Sequence, residues 1–255
     1  MKDTFSHNQF RMLNECPAKW WAYATEQWTP PPPSDAMLAG QFVEGVAGIG
    51  DGIEDADAHR VYKKGGELKA AFATASAAGV RLTQCPISRD LLAGDCQVEV
   101  AGAIGGLQWR GFIDVVAPQH FTDLKFVGQM GDAWSTAHHS RVPFYMFHEL
   151  QLSIYRELLL QDFDRAASAN TGYIVGVGRT PPHAIVPVRF SALPPAMVCL
   201  GNAWDRTHGD IPWTTVVEQI PAWRESETPP PLPACGVCHW CASQLPFIID
   251  AEAWT

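Results

Sequence analysis

The feature that most constrains this chain is a stretch in which two apolar segments meet at a turn, GFIDVVAPQHFTDLK at residues 111–125. The first segment contains Asp114, the second contains Asp123, and Pro118-Gln119 lies between them. Short apolar runs on either side of a turn predict two β-strands that form a hairpin. If the strands pair across this turn, Asp114 comes close to Asp123. A fold that contains this hairpin must therefore accommodate two neighbouring carboxylates.

Two nearby carboxylates repel each other unless a positive charge lies beside them. Side chains two residues apart on a strand share one face, so we expect Asp123 and Lys125 to point the same way and Leu124 to point into a core. An ammonium group and a divalent cation would together supply the positive charge. This is the arrangement that a metal-dependent phosphodiester hydrolase needs. Asp-x-Lys alone is common and also occurs in solvated hairpins with ordinary surface charges.

Two further motifs make the pattern more specific. Gly111-x-x-Asp114 precedes Asp123-x-Lys125, and Gln151-x-x-x-Tyr155 follows on a predicted helix. In this order the three motifs resemble those of the PD-(D/E)XK nuclease superfamily, in particular its RecB-like exonuclease branch. The resemblance implies an α/β fold with a restriction-endonuclease-like core, in which a mixed central β-sheet is flanked by helices. Short motifs carry this resemblance, which extends from Ser6 to Cys241.

The composition limits the class of protein. With 255 residues, 47% hydrophobic and 18% charged, the chain has the make-up of a soluble, core-forming protein. No long polar linker divides it, so we expect a single nuclease domain over residues 1–255. No apolar run approaches the roughly 20 residues of a membrane-spanning helix, and we find no signal segment, so we expect a cytoplasmic protein without a membrane partner. The net charge of −9 argues against a broad nucleic-acid-coating surface but allows an acidic metal site.

The N-terminal segment predicts a helix over residues 5–24. Ser6 is a good N-cap, Gln9 completes a capping-box pattern, and Phe5 and Phe10 are placed as a hydrophobic staple. The helix contains Cys16. Alone, such a cysteine is typical of an inert buried side chain.

The next helix, capped by Ser34 or Asp35, contains Gly40-x-x-x-Glu44. A small residue one turn before an acid would allow another group to approach that helix face closely. The resemblance implies that a helix here presents a Glu or His to the metal, which makes Glu44 the candidate third ligand. A solvent-facing glutamate is the simpler interpretation.

The remaining segments predict the rest of the sheet and its covering helices. A Gly105-Gly106 turn predicts a hairpin upstream of residue 111. A helix over 143–163 places Gln151 and Tyr155 on one face, because they are four residues apart. The other predicted elements are a surface loop at 48–60, an Ala-rich helix at 65–78 ended by Gly79, a short helix at 87–93, strands at 171–178 and 184–190, and a helix at 194–208.

The C-terminal tail contains three cysteines at two-residue gaps, Cys235, Cys238 and Cys241. In a reducing compartment this spacing indicates metal ligation, and a closed site for zinc or a 4Fe–4S cluster requires four ligands. RecB-like nucleases with a cluster place one cysteine before the nuclease core and three after it. The resemblance therefore implies Cys16 as the fourth ligand, so that the cluster joins the N-terminal helix 5–24 to the tail 234–242. The last gap is shorter than is usual in that branch, and zinc ligation involving His239 stays open.

The resemblance implies a Mg²⁺- or Mn²⁺-dependent deoxyribonuclease, most often an exonuclease acting on DNA ends or single strands. Asp114, Asp123, Glu44 and the Leu124 carbonyl would hold the ion, and Lys125 would position the attacking water. Gln151 and Tyr155 would hold the strand. Recombination, repair or phage DNA processing is the expected setting.

Two other functions compete with the nuclease. The first is a metal-stapled DNA- or partner-binding protein whose nuclease-like core is inactive. The retention of Asp114, Asp123 and Lys125 argues against it, because a purely binding module does not need that set. The second is a redox protein that uses an iron–sulfur centre, which the absence of a flavin or nucleotide motif disfavours.

Overall fold

We analysed a computed structural model, which describes residues 4–128, 130–131, 133–135, 140–142, 145, 148–190, 197–198 and 211–226. The predicted α/β class is confirmed. The helices are α1 His7–Glu15, α2 Pro17–Ala24, α3 Asp35–Ala47, α4 Ala58–Val61, α5 Ala70–Gln84, α6 Pro86–Leu91, α7 Glu149–Gln161, α8 Trp213–Val217 and α9 Ile220–Glu225. The strands are β1 Asp95–Ile104, β2 Leu107–Ala117, β3 His120–Val127, β4 Ala133–Ser135, β5 Ser140–Val142, β6 Gly172–Gly178, β7 Ile185–Phe190, β8 Met197–Val198 and β9 Ile211–Pro212.

The central sheet has five strands in the order β1-β2-β3-β6-β7. Strand β3 pairs antiparallel with β2 and parallel with β6, and β6 pairs antiparallel with β7. The sheet is therefore mixed, as the motifs predicted. The parallel pair is joined by a crossover that contains α7, which is the kind of connection that parallel neighbours require.

The hairpin of β2 and β3 has the predicted turn. Ala117 pairs with His120 across Pro118-Gln119, and the register continues to Val115 opposite Thr122. In this register Asp114 is the next residue of β2, and its opposite number on β3 is Asp123. The two carboxylates therefore lie where the paired part of the hairpin ends.

Helices α3 and α5 cover one side of the sheet and enclose its main core. Their close packing depends on Gly79, where an added Cβ would lie 2.7 Å from Val46 Cβ. The expectation that Gly79 ends an Ala-rich helix at 65–78 is wrong, because α5 runs from Ala70 to Gln84 and Gly79 lies inside it. The fully buried members of this core include Val43, Phe72, Ala75, Ala78, Leu82, Val115, Val175 and Val177.

Helix α7 packs against β1 and β2 at two glycines. An added Cβ on Gly102 would lie 2.5 Å from Gln161 Oε1, and one on Gly111 would lie 2.9 Å from Tyr155 Cε1. The helix begins at Glu149, later than the predicted start at 143. It ends at Gln161, so Gln151 and Tyr155 stay within it as predicted.

The N-terminal segment forms two helices where the sequence predicted one over 5–24. Cys16 ends α1 and caps α2, with Pro17 in the first turn of α2. Proline is favoured at a helix start because it lacks the N–H that would otherwise bond to the preceding turn. The Ser6 cap is confirmed by its bond from the Gln9 N–H, and the Phe5 and Phe10 rings meet edge to face at 6.3 Å.

The described residues fall into two compact units. The described residues of the first lie within 4–31, 103–109 and 197–226, and those of the second lie within 32–102 and 110–190. The first has an aromatic cluster of Phe5, Phe10, Trp20 and Trp109. The second contains the core of α3, α5 and the sheet.

Several other predicted features differ from the structure or lie outside the residues that it describes. The loop predicted at 48–60 includes a 3₁₀ turn and α4. Met197–Val198 is a short strand, so the helix predicted over 194–208 is wrong there, and the rest of that segment lies outside the described residues. Cys235, Cys238, His239 and Cys241 also lie outside the described residues. No helix in the described ranges is long and apolar enough to cross a membrane.

Candidate active site

The candidate site lies in the second unit, where β2 and β3 stop pairing. Asp114 is the first residue of β2 beyond the paired stretch, and its Oδ2 accepts a hydrogen bond from the Leu124 N–H at 2.7 Å. The carboxylate thereby satisfies a backbone donor of the neighbouring strand. Burial raises the pKa of Asp114, whereas the Lys125 charge and the Leu124 N–H act to lower it. The predicted proximity of Asp114 to β3 is confirmed.

Asp123 and Lys125 share one face of β3, as their spacing predicted. Lys125 Nζ lies 2.5 Å from Asp123 Oδ2, and the Asp123 side chain is only 2% exposed. Burial raises the pKa of Asp123, with Lys125 opposing the shift and Asp114 adding to it. Burial acts to lower the pKa of Lys125, but the charges of Asp123 and Asp114 outweigh it and raise the pKa. Lys125 is therefore held as an ammonium. Leu124, between the two, is buried in the core as predicted.

Helix α7 supplies Gln151 and Tyr155 to the same site. Gln151 Nε2 donates to Asp123 Oδ1 at 2.9 Å and to the Tyr155 hydroxyl oxygen at 2.9 Å. Burial raises the pKa of Tyr155, and the nearby Asp123 charge adds to the shift. Tyr155 therefore remains a neutral phenol. The Gly111-x-x-Asp114 spacing now has a physical reason, since only glycine leaves room for the Tyr155 ring over β2.

Glu44 reaches the site from the last turn and a half of α3. Burial raises the pKa of Glu44 from its ordinary 4.5 to about 7, and the charge of Asp114 adds to this effect. The charge of Lys125 acts to lower the pKa of Glu44, and the charge of Asp123 raises it by a smaller amount. Glu44 is therefore electrostatically coupled to both aspartates. The close approach expected at Gly40 is wrong for the described residues, because nothing there lies within 4 Å of an added Cβ.

The close approach on α3 occurs at Gly45 instead. An added Cβ on Gly45 would lie 2.7 Å from Gly52 Cα, so the loop after the helix passes directly over it. This contact folds the Gly-rich loop back beside Glu44. The glycines at 48–52, which the sequence marked only as a surface loop, thus shape one wall of the site.

Sequence reasoning missed Gln97. Its Nε2 donates to Asp114 Oδ1 at 3.4 Å, and its backbone has a φ of +49°. The Gly105-Gly106 turn predicted a hairpin in this part of the sequence but gave Gln97 no role. Glu99, two residues further along β1, is exposed and pairs with Arg110 at 2.6 Å.

The donor set fits a divalent cation in kind and in charge. Within the described ranges, no three His, Cys, Asp or Glu side chains stand close enough together to form a metal-binding group. Three carboxylates, those of Glu44, Asp114 and Asp123, nevertheless interact electrostatically with the ammonium group of Lys125. Buried carboxylates in excess of their counter-ions are unstable as anions. Hard oxygen donors of this kind are what Mg²⁺ and Mn²⁺ bind.

Cys16 is buried, and its Sγ accepts a hydrogen bond from the Lys19 N–H at 3.5 Å. The thiol therefore acts as the N-cap of α2. The sequence predicted it only as a ligand or an inert core residue. Its predicted partners lie outside the described residues, so the cysteine cluster stays a prediction.

Comparisons with known proteins agree with this fold. A candidate exonuclease from Eubacterium rectale has a similar crystal structure, with a TM-score of 0.75 and 18% sequence identity over 95% of this chain and 88% of that one. A search of curated proteins found no match. The mixed sheet and the acidic site where β2 and β3 separate define a PD-(D/E)XK-like protein. Residues 6–197 match the family described as PDDEXK-like domain of unknown function (DUF3799), and the chain belongs to that family.

Proposed function

We propose that this protein is a metal-dependent deoxyribonuclease. The observation that carries the proposal is the convergence of Asp114, Asp123 and Lys125 where β2 and β3 separate, with the Lys125 ammonium 2.5 Å from Asp123 Oδ2. A binding protein gains nothing from burying this set, because removing charges from water is costly. A hydrolase gains a cation site and a charged donor at one point. Membership of a PDDEXK-like family supports the same assignment.

Each residue of the site then has a role. Glu44, Asp114, Asp123 and the Leu124 carbonyl would hold Mg²⁺ or Mn²⁺. The bound ion would supply an activated water and neutralise charge on the phosphate. Lys125 would orient the attacking water and stabilise negative charge that develops on the phosphate oxygens.

Gln151 and Tyr155 serve the site from α7. Because Gln151 donates to both Asp123 and Tyr155, it fixes the orientation of the carboxylate and of the phenol at once. The neutral Tyr155 hydroxyl would contribute a hydrogen bond to the DNA backbone. Gln151 would act chiefly through Asp123, which refines the strand-holding role that the motif alone implied.

We further propose that the enzyme is an exonuclease of the RecB-like branch, acting on DNA ends or single strands. The name of the structurally similar protein from Eubacterium rectale supports an exonuclease. We propose that residues 1–255 act as one nuclease domain, with Cys16, Cys235, Cys238 and Cys241 holding a 4Fe–4S cluster or zinc. Recombination, repair or phage DNA processing would be its setting. These proposals follow from the motifs and their order.

The test is digestion of end-labelled linear and circular DNA with Mg²⁺ or Mn²⁺, by the wild type and by Asp114→Asn. We expect the wild type to degrade linear DNA and spare closed circles. Asp114→Asn removes one anionic ligand while keeping the side-chain size, and we expect a loss of at least about a hundredfold. Asp90→Asn, at an exposed position of α6, is the matched control and should cut like the wild type.

Binding of labelled DNA in Ca²⁺ separates the nuclease from the inactive binding protein. If the wild type binds DNA in Ca²⁺ but does not cut it in Mg²⁺ or in Mn²⁺, the inactive binding protein is the better assignment. If Asp114→Asn cuts as fast as the wild type, the site is wrong even if the activity is real.

A further inference from the structure

Gln97 has a backbone conformation that a glutamine in a strand rarely adopts. Its φ is +49°, although it lies in the third position of β1. Residues other than glycine enter this left-handed region at an energetic cost, because Cβ crowds the following carbonyl. Such outliers persist only where the surrounding structure holds them, and they are frequent at functional sites.

The conformation places the Gln97 amide beside Asp114. Nε2 donates to Asp114 Oδ1 at 3.4 Å, while Oδ2 of the same carboxylate accepts the Leu124 N–H at 2.7 Å. One donor on each oxygen defines the rotation of the carboxylate about its Cβ–Cγ bond. Leu124 belongs to the strand that Asp114 faces, and Gln97 to the strand on its other side. The carboxylate is thus held from both neighbouring strands.

The same amide also lies near Glu44. An added Cβ on Gly50 would lie 3.5 Å from Glu44 Oε2 and 3.7 Å from Gln97 Nε2. Both groups therefore lie close to the same point, and the absence of a side chain on Gly50 leaves that point open. The amide of Gln97 on β1 therefore lies near two of the proposed metal ligands, Asp114 and Glu44.

We propose that Gln97 is a positioning residue of the nuclease site, whose amide holds the Asp114 carboxylate in the orientation that binds the divalent cation. This rests on the proposed function. Gln151 already holds Asp123 at 2.9 Å, so each aspartate of the site has its own glutamine. Partners of this kind, one step removed from the metal, typically change metal affinity or activity by about 10–100-fold when they are lost.

The test uses Gln97→Gly, because glycine adopts a positive φ without strain and the substitution removes the whole side chain together with its amide. Gln108→Gly is the matched control, since Gln108 is an exposed glutamine on the adjacent strand β2. The first measurement is Mn²⁺ binding by electron paramagnetic resonance, without DNA. We expect Gln97→Gly to bind Mn²⁺ about tenfold more weakly. Gln108→Gly should bind Mn²⁺ like the wild type.

The second measurement is the Mn²⁺ dependence of DNA cutting. We expect the Mn²⁺ concentration for half-maximal cutting to rise by the same factor as the dissociation constant, with KM for DNA unchanged at saturating Mn²⁺. Wild-type Mn²⁺ affinity in Gln97→Gly would overturn the proposal.

The two measurements distinguish failure of this inference from failure of the proposed function. If the wild type binds Mn²⁺ and Gln97→Gly weakens that binding, but neither cuts DNA, the positioning role stands and the nuclease assignment falls. If both proteins cut with the same Mn²⁺ requirement, the nuclease stands and the positioning role falls.

Discussion

At the scale of single residues, Glu44 makes the stability of the metal-free protein depend on pH. Its pKa is raised from 4.5 to about 7, chiefly by burial and by the charge of Asp114. The folded chain therefore binds a proton more tightly than the unfolded chain between these values, and stability must fall as pH rises through that window. Asp123, whose pKa is also raised, acts in the same direction, whereas Lys125 affects stability only at much higher pH.

We therefore expect the Tm of the protein in EDTA to fall between pH 5 and pH 7.5, and Glu44→Gln to have a shallower slope. Mg²⁺ competes with these protons, so its stabilising effect should be larger at pH 7.5 than at pH 5. Thermal unfolding with and without Mg²⁺ measures both quantities. Equal slopes for wild type and Glu44→Gln would show that folding does not raise the pKa of Glu44.

The residues of the site differ in how far the sequence could predict them. Asp114, Asp123 and Lys125 were predictable because strand periodicity and a two-residue turn determine their relative positions. Gln97 was not, because a left-handed φ inside a strand has no signature in an amide side chain. Cys16 was predicted as a metal ligand or as an inert buried residue. Its role as a helix cap could not be predicted, because that role depends on the break between α1 and α2 at Pro17.

At the scale of elements, glycines set the distances between helices and sheet. Gly79 was predicted to end a helix, yet it lies where α5 meets Val46 of α3. A glycine that ends a helix and a glycine that permits helix contact look alike in one sequence, because both follow a helical pattern. The strands β1 to β3, β6 and β7 were predicted well, since alternation and turn residues are local signals.

The packing of α7 on β2 depends on Gly111. An added Cβ there would lie 2.9 Å from Tyr155 Cε1, and the ring is buried and held by Gln151. We expect Gly111→Ala to lower the free energy of unfolding by about 1–3 kcal/mol, as overpacking does, and to reduce DNA cutting by moving Tyr155. Urea unfolding and the cutting assay measure the two effects.

Gly40→Ala is the matched control for this substitution. Gly40 lies in the interior of α3, and no described atom comes within 4 Å of an added Cβ. Alanine there should raise the free energy of unfolding by about 0.5–1 kcal/mol, because it favours the helix. If Gly111→Ala and Gly40→Ala changed the free energy of unfolding in the same way, backbone propensity would explain the effect at Gly111. The contact with Tyr155 would then be unimportant.

At the scale of the whole molecule, the site and Cys16, the described residue of the proposed cluster, belong to different compact units. The second unit contains Glu44, Gln97, Asp114, Asp123, Lys125, Gln151 and Tyr155. The first contains Cys16, whereas Cys235, Cys238 and Cys241 lie outside the described residues. The nuclease proposal and the cluster proposal are thus carried by separate residues. Either can fail without the other, which makes a substitution at Cys16 informative.

Cys16→Ser separates the two roles that Cys16 could have. Its Sγ caps α2 by accepting the Lys19 N–H, and serine is itself a favoured N-cap. A serine hydroxyl is a much poorer ligand of iron or zinc than a thiolate is. If Cys16 is a cluster ligand, we expect anaerobically purified Cys16→Ser to lose most of its iron and sulfide, or its zinc, and to have a lower Tm.

Cys96→Ser is the control, because Cys96 is an exposed cysteine of the second unit. It should keep the metal content and the visible absorption spectrum of the wild type. A Cys16→Ser protein with wild-type metal content and Tm would show that the thiol serves only as a helix cap. A wild type without iron or zinc would refute the cluster but leave the nuclease proposal intact, because no cysteine of the proposed cluster belongs to the acidic site of the second unit.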